Sequence, residues 1–302
     1  MNVIRHKYLF LAFSGLLIAA SIAALALWGL RLGVDFTGGS LMEIEFSGKR
    51  PPADAIRKVL EPLGLGTITL QPSGATGMLL RFKDVDEDTH QKIVAAVREV
   101  VAPEGGDAGV VEKRFDAVGP VIGADLYRRS LMALALAVAA IVAYIAWAFR
   151  RISKPIASWK YGVVTVAALI HDIAIPAGTF AALGRWQGVE VDLLFITALL
   201  TVLGFSVHDT IVVFDRIREN LSAGERREPY ADTVNRSIRE TFARSVATSL
   251  TVLLVLAAVF FFGGTTTRHF TFALIIGITA GTYSSIFVAS PLLVVWESLT
   301  KK

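Results

Sequence analysis

Two aspartates lie deep inside otherwise apolar stretches, Asp172 and Asp209, and each follows a histidine, His171 and His208. A charge near a bilayer centre costs about 2.5–3.5 kcal/mol on insertion scales, so such groups face a polar interior and usually serve transport. The structural alternative is a buried hydrogen-bonding group that locks two helices together. Transport is the expectation for Asp209, with Thr210 beside it in a supporting role; for Asp172 both readings stay open. Arg244 opens another apolar stretch, with Thr248 and Thr251 behind it at helical spacing. A carboxylate that alternates between a dry setting and a cation-paired one can bind and release a proton. The alternative for Arg244 is an arginine that snorkels to the interface from a helix end.

Other chemistries fit poorly. Gly33-Val34-Asp35-Phe36-Thr37-Gly38-Gly39-Ser40 looks superficially like a phosphate loop, but it lacks the GxGxxG and GxxxxGK[ST] spacings and follows an apolar span instead of a strand. Its glycines, with Asp35 and Phe36, read as a turn into the first strand. HExxH and GxSxG strings are missing, and there is no cysteine for thiol chemistry, zinc-thiolate sites or disulfides. An intramembrane aspartyl protease would need Asp172 and Asp209 to share a proton, and the GxGD string of that class is absent. The expectation is a non-enzyme without cofactor or metal, driven by a gradient or a partner.

The elements that must position these residues follow from the charge pattern. At 54% hydrophobic residues and a mean hydropathy of +0.57 the chain is too apolar for an ordinary soluble domain. Six spans are expected: Leu9–Leu30, Leu131–Phe149, Tyr161–Leu183, Leu193–Phe214, Ser245–Phe262 and Phe270–Trp296. The first is too long for a signal-peptide core and reads as a retained anchor. Arg150, Arg151, Lys154 and Lys160 fill the second-to-third loop, and seven arginines lie between positions 216 and 244. The positive-inside rule then places both termini in the cytoplasm. It also makes the pI near 9.4 a membrane feature, with no nucleic-acid partner implied.

Residues 31–129 carry thirteen basic and fifteen acidic side chains and must fold outside the membrane. Strand patterns at Leu41–Phe46, Thr67–Gln71, Met78–Phe82 and Val110–Val118 alternate with helical ones at Pro52–Leu63 and Asp86–Val101. This βαββαβ order predicts a ferredoxin-like α+β domain. The expected organisation is residues 1–30 as N-terminus and first span, 31–129 as extracytoplasmic domain, and 130–302 as a five-helix bundle with cytoplasmic loops. In the last span Ala273, Gly277, Gly281, Ser285 and Ala289 recur every fourth position, a stripe that lets another helix approach closely.

Several stretches together resemble the SecD/SecF family: Gly33–Ser40 (GVDFTGGS), Val118–Ala124 (VGPVIGA), Val202–Asn220 (VLGFSVHDTIVVFDRIREN), Thr241–Ser245 (TFARS) and Gly281–Ser290 (GTYSSIFVAS). They occur in the family's order along essentially the whole chain. The resemblance implies an RND-related membrane part that assists protein export across the bacterial inner membrane, using the proton gradient or, in some members, sodium. It implies Asp209 as the proton-relay carboxylate and Arg244 as its basic partner, with Asp172, His208, Thr210 and Thr248 in support. His208 stands where many members carry asparagine. Implied partners are SecD, which would bring a second relay aspartate, the SecYEG translocon, YajC, the translocating polypeptide and membrane lipid. The competing transport reading is an RND-type proton-coupled small-molecule exporter, whose chains usually carry two larger outer domains.

Topology is directly testable. Reporters fused at Gly74 and Gly264 are expected to register outside and those at Ser153 and Ala223 inside, and a cytoplasmic signal at Gly74 would overturn the orientation.

Overall fold

A computed structural model of the chain describes residues 2–101, 109–149, 157–222 and 228–300. It divides into two units, Met1–Arg31 with Leu131–Lys302, and Leu32–Ser130.

The smaller unit begins with one helical turn, α1 in chain order being Lys7–Trp28 of the other unit and this turn being α2 (Val34–Thr37). It continues through β1 (Gly39–Phe46), α3 (Ala53–Leu60), β2 (Thr69–Ser73), β3 (Gly77–Phe82), α4 (Glu87–Val101) and β4 (Val110–Val118). The strands form one antiparallel sheet in the order β2-β3-β1-β4. Period-2 alternation explains how the sheet is covered. Met42, Ile44 and Phe46 of β1 share a face with Met78, Leu80 and Phe82 of β3, and all six are buried against Ile56 and Leu60 of α3 and Ile93, Val94 and Val97 of α4. The other face carries polar pairs. Lys113 Nζ lies 2.6 Å from Glu45 Oε2, and that hydrogen bond and charge hold the Glu45 carboxyl below its usual range. His90 fastens α4 to β4: its ring bridges Glu87 (3.2 Å) and Glu112 (3.0 Å) and stacks on Phe115 at 3.9 Å.

The Gly33–Ser40 segment closes as a helical turn and not as an open loop. Gly38 (φ +74°) ends α2 and Gly39 (φ +117°) starts β1, which therefore begins two residues earlier than the alternation at Leu41 suggested. Both positions are also crowded. A Cβ on Gly38 would sit 2.6 Å from the Pro120 Cα, and one on Gly39 would sit 2.8 Å from the Phe82 carbonyl oxygen. Gly123 completes the contact from the other side, where a Cβ would lie 2.9 Å from the Gly38 nitrogen.

The larger unit is helical: α1, α5 (Pro120–Ala148, of which the residues from Leu131 belong here), α6 (Ser158–Gln187), α7 (Leu193–Ser222), α8 (Tyr230–Phe262), α9 (Thr265–Ser284), a π-helical segment Ser285–Ala289 and α10 (Ser290–Thr300). Among the described residues, six stretches are long and apolar enough to cross a membrane: Ile4–Trp28, Pro120–Ala148, Trp159–Gln187, Leu193–Ser222, Tyr230–Phe262 and Thr267–Thr300. Several helices outrun the apolar stretches read from the sequence. At 1.5 Å per residue α8 spans about 50 Å, against about 30 Å for a hydrocarbon core. The extra turns of α7 and α8 are joined by polar side chains that hydropathy does not register, Arg216 to Glu240 at 2.6 Å and Asn220 to Ser237 at 2.9 Å.

Half or more of the apolar windows of α6, α7 and the last span are buried (56%, 50% and 61%), against about a tenth for α1, α5 and α8. The inner helices are thus α6, α7 and α9. Their core includes Phe149, Tyr161 and Phe214, whose rings lie 5.3–6.1 Å apart.

Gly38→Ala forces a side chain into a left-handed conformation and against the Pro120 backbone. It is expected to destabilise the smaller unit by about 1–3 kcal/mol, read as faster proteolysis of residues 32–130 in the full-length protein.

Candidate functional site

The inner helices meet around two buried carboxylates. α7 and α9 approach closely because α9 offers glycine where α7 offers side chains. A Cβ on Gly277 would lie 2.3 Å from Val202 Cγ2, and one on Gly281 would lie 2.9 Å from Ser206 Cβ. Ala273 and Ala289 are buried on the same stripe, which acts as a packing surface.

Asp209 of α7 is 2% exposed. Its Oδ2 accepts from Thr282 Oγ1 of α9 (3.2 Å) and from Ser249 Oγ of α8 (3.4 Å), and these two hydroxyls are 2.6 Å from each other. The three oxygens form a triangle that joins three helices.

Asp172 of α6 is wholly buried and more heavily bonded. Oδ2 accepts from Ser206 Oγ of α7 and from Ser284 Oγ of α9 (2.8 Å), while Oδ1 lies 2.8 Å from His171 Nδ1. Pro176, one turn along α6, cannot donate to the Asp172 backbone carbonyl, so the helix is locally weakened at this aspartate. Asp172 therefore joins α6 to both α7 and α9. Of the two readings left open for it, the locking contact is present in the geometry.

The other residues singled out from the sequence fall in different places. Thr210 is buried, and its hydroxyl has no hydrogen-bond partner among the described residues. His208 is exposed. Arg244 is not brought onto Asp209: it is exposed on α8 and has no ion pair or hydrogen bond among the described residues. The helical period explains this. Ser245 and Ser249 point inward, while Arg244 and Thr248, one residue before each, point away from the bundle. Along α8, Asp209 bonds Ser249, five residues beyond Arg244, and the inward face next to Arg244 is held by Ser245. Gly33, Asp35, Phe36, Gly38 and Gly39 lie in the smaller unit around α2, where Phe36 is buried and packs edge-on against Tyr127 at 5.8 Å.

Sequence reasoning missed Ser206, Ser249, Thr282 and Ser284, the four hydroxyls that reach the carboxylates. It also missed a buried row on α8, Thr233, Ser237, Thr241, Ser245 and Ser249, spaced every four residues along the face that ends at Asp209. That spacing was available as a signal. The π-helical segment begins directly after Ser284; π turns in helices concentrate at functional sites.

Two families match the chain: "Protein export membrane protein SecD/SecF, C-terminal" over residues 101–299 and "SecD/SecF GG Motif" over residues 29–49. Among curated relatives, the protein translocase subunit SecF of Thermobaculum terrenum is 43% identical over 99% of this chain and 94% of its own length. That of Anaerolinea thermophila is 40% identical with the same coverage. The crystal structure of SecDF from Thermus thermophilus, titled a translocon-associated membrane protein, superposes with a TM-score of 0.81 at 33% identity. The match covers 99% of this chain and 39% of that one, so the chain spans about two fifths of the length of that solved relative.

The α7–α9 seam can be tested with two glycines that differ only in surroundings. Gly277→Ala must displace Val202, whereas Gly204, also on α7, has open space around its Cα. Gly277→Ala is expected to lose about 1–3 kcal/mol, while Gly204→Ala is neutral or gains up to about 1 kcal/mol from helix propensity. Thermal unfolding of the purified membrane protein reads both.

Proposed function

The chain belongs to the SecD/SecF family of protein export membrane proteins, and on that premise we propose that it acts as the SecF-type subunit of the Sec translocation machinery. In this reading it lies in the bacterial inner membrane with both termini cytoplasmic, pairs with a SecD subunit, and works beside the SecYEG channel on polypeptides leaving the cell interior. Its outer unit is a ferredoxin-like sandwich of residues 31–129 on the far side of the membrane; the βαββαβ order and the β2-β3-β1-β4 sheet support that. The proton motive force supplies the work, through Asp209.

The observation that carries the relay role is the Asp209 triangle. Its three oxygen–oxygen contacts require three hydrogens, and the hydroxyls of Ser249 and Thr282 supply two. A protonated Asp209 provides the third and closes a ring without a buried charge: Oδ2–H donates to one hydroxyl, that hydroxyl donates to the other, and the other donates back to Oδ2. An ionised Asp209 leaves one contact without a hydrogen, and the hydroxyls must reorient or part. Protonation is thereby tied to the packing of α7, α8 and α9, which is what a gradient-driven motor requires. Arg244 remains in the proposal as the basic member of the relay, acting from the outer face of α8 toward a carboxylate on the partner subunit. Thr248, exposed one turn further along, belongs to the same face.

Asp209→Asn keeps the size of the side chain and supplies an amide donor to the triangle, but it cannot titrate. The expected outcome is normal insertion and partner association with loss of gradient-stimulated export in membrane vesicles. One charge crossing 100 mV is worth about 2.3 kcal/mol, so the variant loses the driving force and keeps the scaffold. Unchanged stimulation in Asp209→Asn would remove the relay role.

A further inference from the structure

The relay reading uses one of the two buried carboxylates. The second has a feature that a simple helix lock does not need: a fully buried imidazole with one nitrogen bonded and the other bare. His171 is 0% exposed, its Nδ1 lies 2.8 Å from Asp172 Oδ1, and its Nε2 has no hydrogen-bond partner among the described residues. A lock made by Asp172 alone would be complete with Ser206 and Ser284, which already join α6 to α7 and α9.

A carboxylate accepts hydrogen bonds, so one proton lies between Asp172 Oδ1 and His171 Nδ1. This leaves Nε2 with an unshared electron pair and no proton, the arrangement by which a carboxylate orients a histidine to act as a base. In that state the pair carries a net charge of −1 inside an apolar bundle. A second proton makes it neutral, and there are two ways to write the product: imidazolium beside carboxylate, or imidazole beside carboxylic acid. In both, the added hydrogen is on Nε2.

We propose that His171 Nε2 is a second proton-binding site of the membrane unit, taking a proton from water or hydronium, with Asp172 as its counter-ion and Ser206 and Ser284 as the positioning groups that hold Asp172. The surroundings keep the pair isolated. On α6, Lys160 is more than two turns away, at the end where it reaches Thr300, and α10 offers only Glu297 near that same end. α1 has no titratable side chain from Leu9 to Gly29. On α9, the Tyr283 ring stacks on His171 at 6.1 Å, and its hydroxyl bonds to the Phe10 carbonyl at 3.3 Å; His269 lies against Phe180, near the opposite end of α6, and Arg268 lies over Phe260 on α8. On α7, His208 is exposed, so the facing ionisable group is Asp209 itself.

The two sites share the α7–α9 seam. Ser206 and Asp209 are one turn apart on α7, and Thr282 and Ser284 are two residues apart on α9, just before the π-helical segment. A change in hydrogen bonding at one carboxylate therefore moves residues that hold the other. Proton binding at His171 stands independently of transport; its coupling to export rests on the relay reading of Asp209.

The test uses full-length protein with ¹⁵N-labelled histidine in proteoliposomes, with ring-nitrogen resonances followed by solid-state NMR from about pH 5 to about pH 9. His171→Asn identifies the signals, because the amide mimics the Nδ1 donor to Asp172 and lacks Nε2. One bare and one protonated nitrogen at high pH, converting to two protonated nitrogens as pH falls, is the expected result. Asp172→Asn removes the counter-ion and should reduce the share of His171 that carries two protonated nitrogens at low pH. Resonances of His171 that stay unchanged across the range would overturn the proposal, even if Asp172→Asn failed to fold. Export assays separate the two readings. If His171 titrates but Asp209→Asn still responds to the gradient, the relay reading fails and the site stands. If Asp209→Asn is dead and His171 is silent, the site alone fails.

Discussion

A carboxylate inside an apolar helix bundle must be solvated by other side chains, and most of the larger unit is arranged around that requirement. Asp172 and Asp209 draw their hydrogen bonds from four hydroxyls on neighbouring helices, at separations that leave little slack. Ser and Thr side chains are short, so the backbones that carry them must be close. Gly277 and Gly281 permit that approach, and Gly281 faces Ser206, which itself bonds Asp172. Moving the helices apart by an ångström or two would turn bonds at 2.8–3.4 Å into contacts too long to count. Breaking the solvation of a buried charge costs several kcal/mol. Close packing and polar chemistry are the same constraint here, seen once as glycine and once as serine.

The constraint also accounts for the irregular geometry nearby. α6 carries Pro176 one turn beyond Asp172, and α9 passes into a π segment right after Thr282 and Ser284. A π turn inserts one residue and rotates everything beyond it relative to the α-helical face. Residues before the segment point at the carboxylates; Ser290, after it, bonds back to the Ser285 carbonyl at 3.1 Å. The change of phase thus falls between the residues that hold the carboxylates and the long apolar segment that follows them.

How much of this was legible in the sequence depended on whether the signal was a residue type or an angle. Asp209 and Asp172 stood out because an acid in an apolar run is costly wherever it points. The six membrane-length helices and the strands of the smaller unit followed from hydropathy and period-2 alternation, with ends displaced where Arg216, Asn220 and Glu240 extend helices past their apolar parts. Of the four hydroxyl donors, only Ser249 had a signal, as the end of the four-residue row on α8. Thr179, Thr197, Thr201, Thr271 and Thr279 look the same in sequence, yet each donates to the carbonyl four residues back in its own helix. Only tertiary placement separates these from Ser206, Thr282 and Ser284. Arg244 shows the complementary failure. Contact with Asp209 needs both the right level along α8 and the right azimuth, and Ser245 and Ser249 hold the inward face.

That two-sided character of α8 bears on how the proposed motor would be assembled. Its inner face carries hydroxyls every fourth residue up to the Asp209 triangle, and its outer face carries Arg244 and Thr248. A guanidinium on the outside of a bundle is tolerable at the aqueous end of a helix but expensive against hydrocarbon. In an assembly with a SecD-type partner, that face would be covered and the arginine supplied with a carboxylate from the partner. α8 would then sit between two acids, one in each subunit, touching Asp209 through Ser249 and the second through Arg244. A proton bound on either side would change the hydrogen bonding of the same helix. The relay would thus need no long wire inside this chain, because one helix turn, from Ser245 to Ser249, would couple both of its faces.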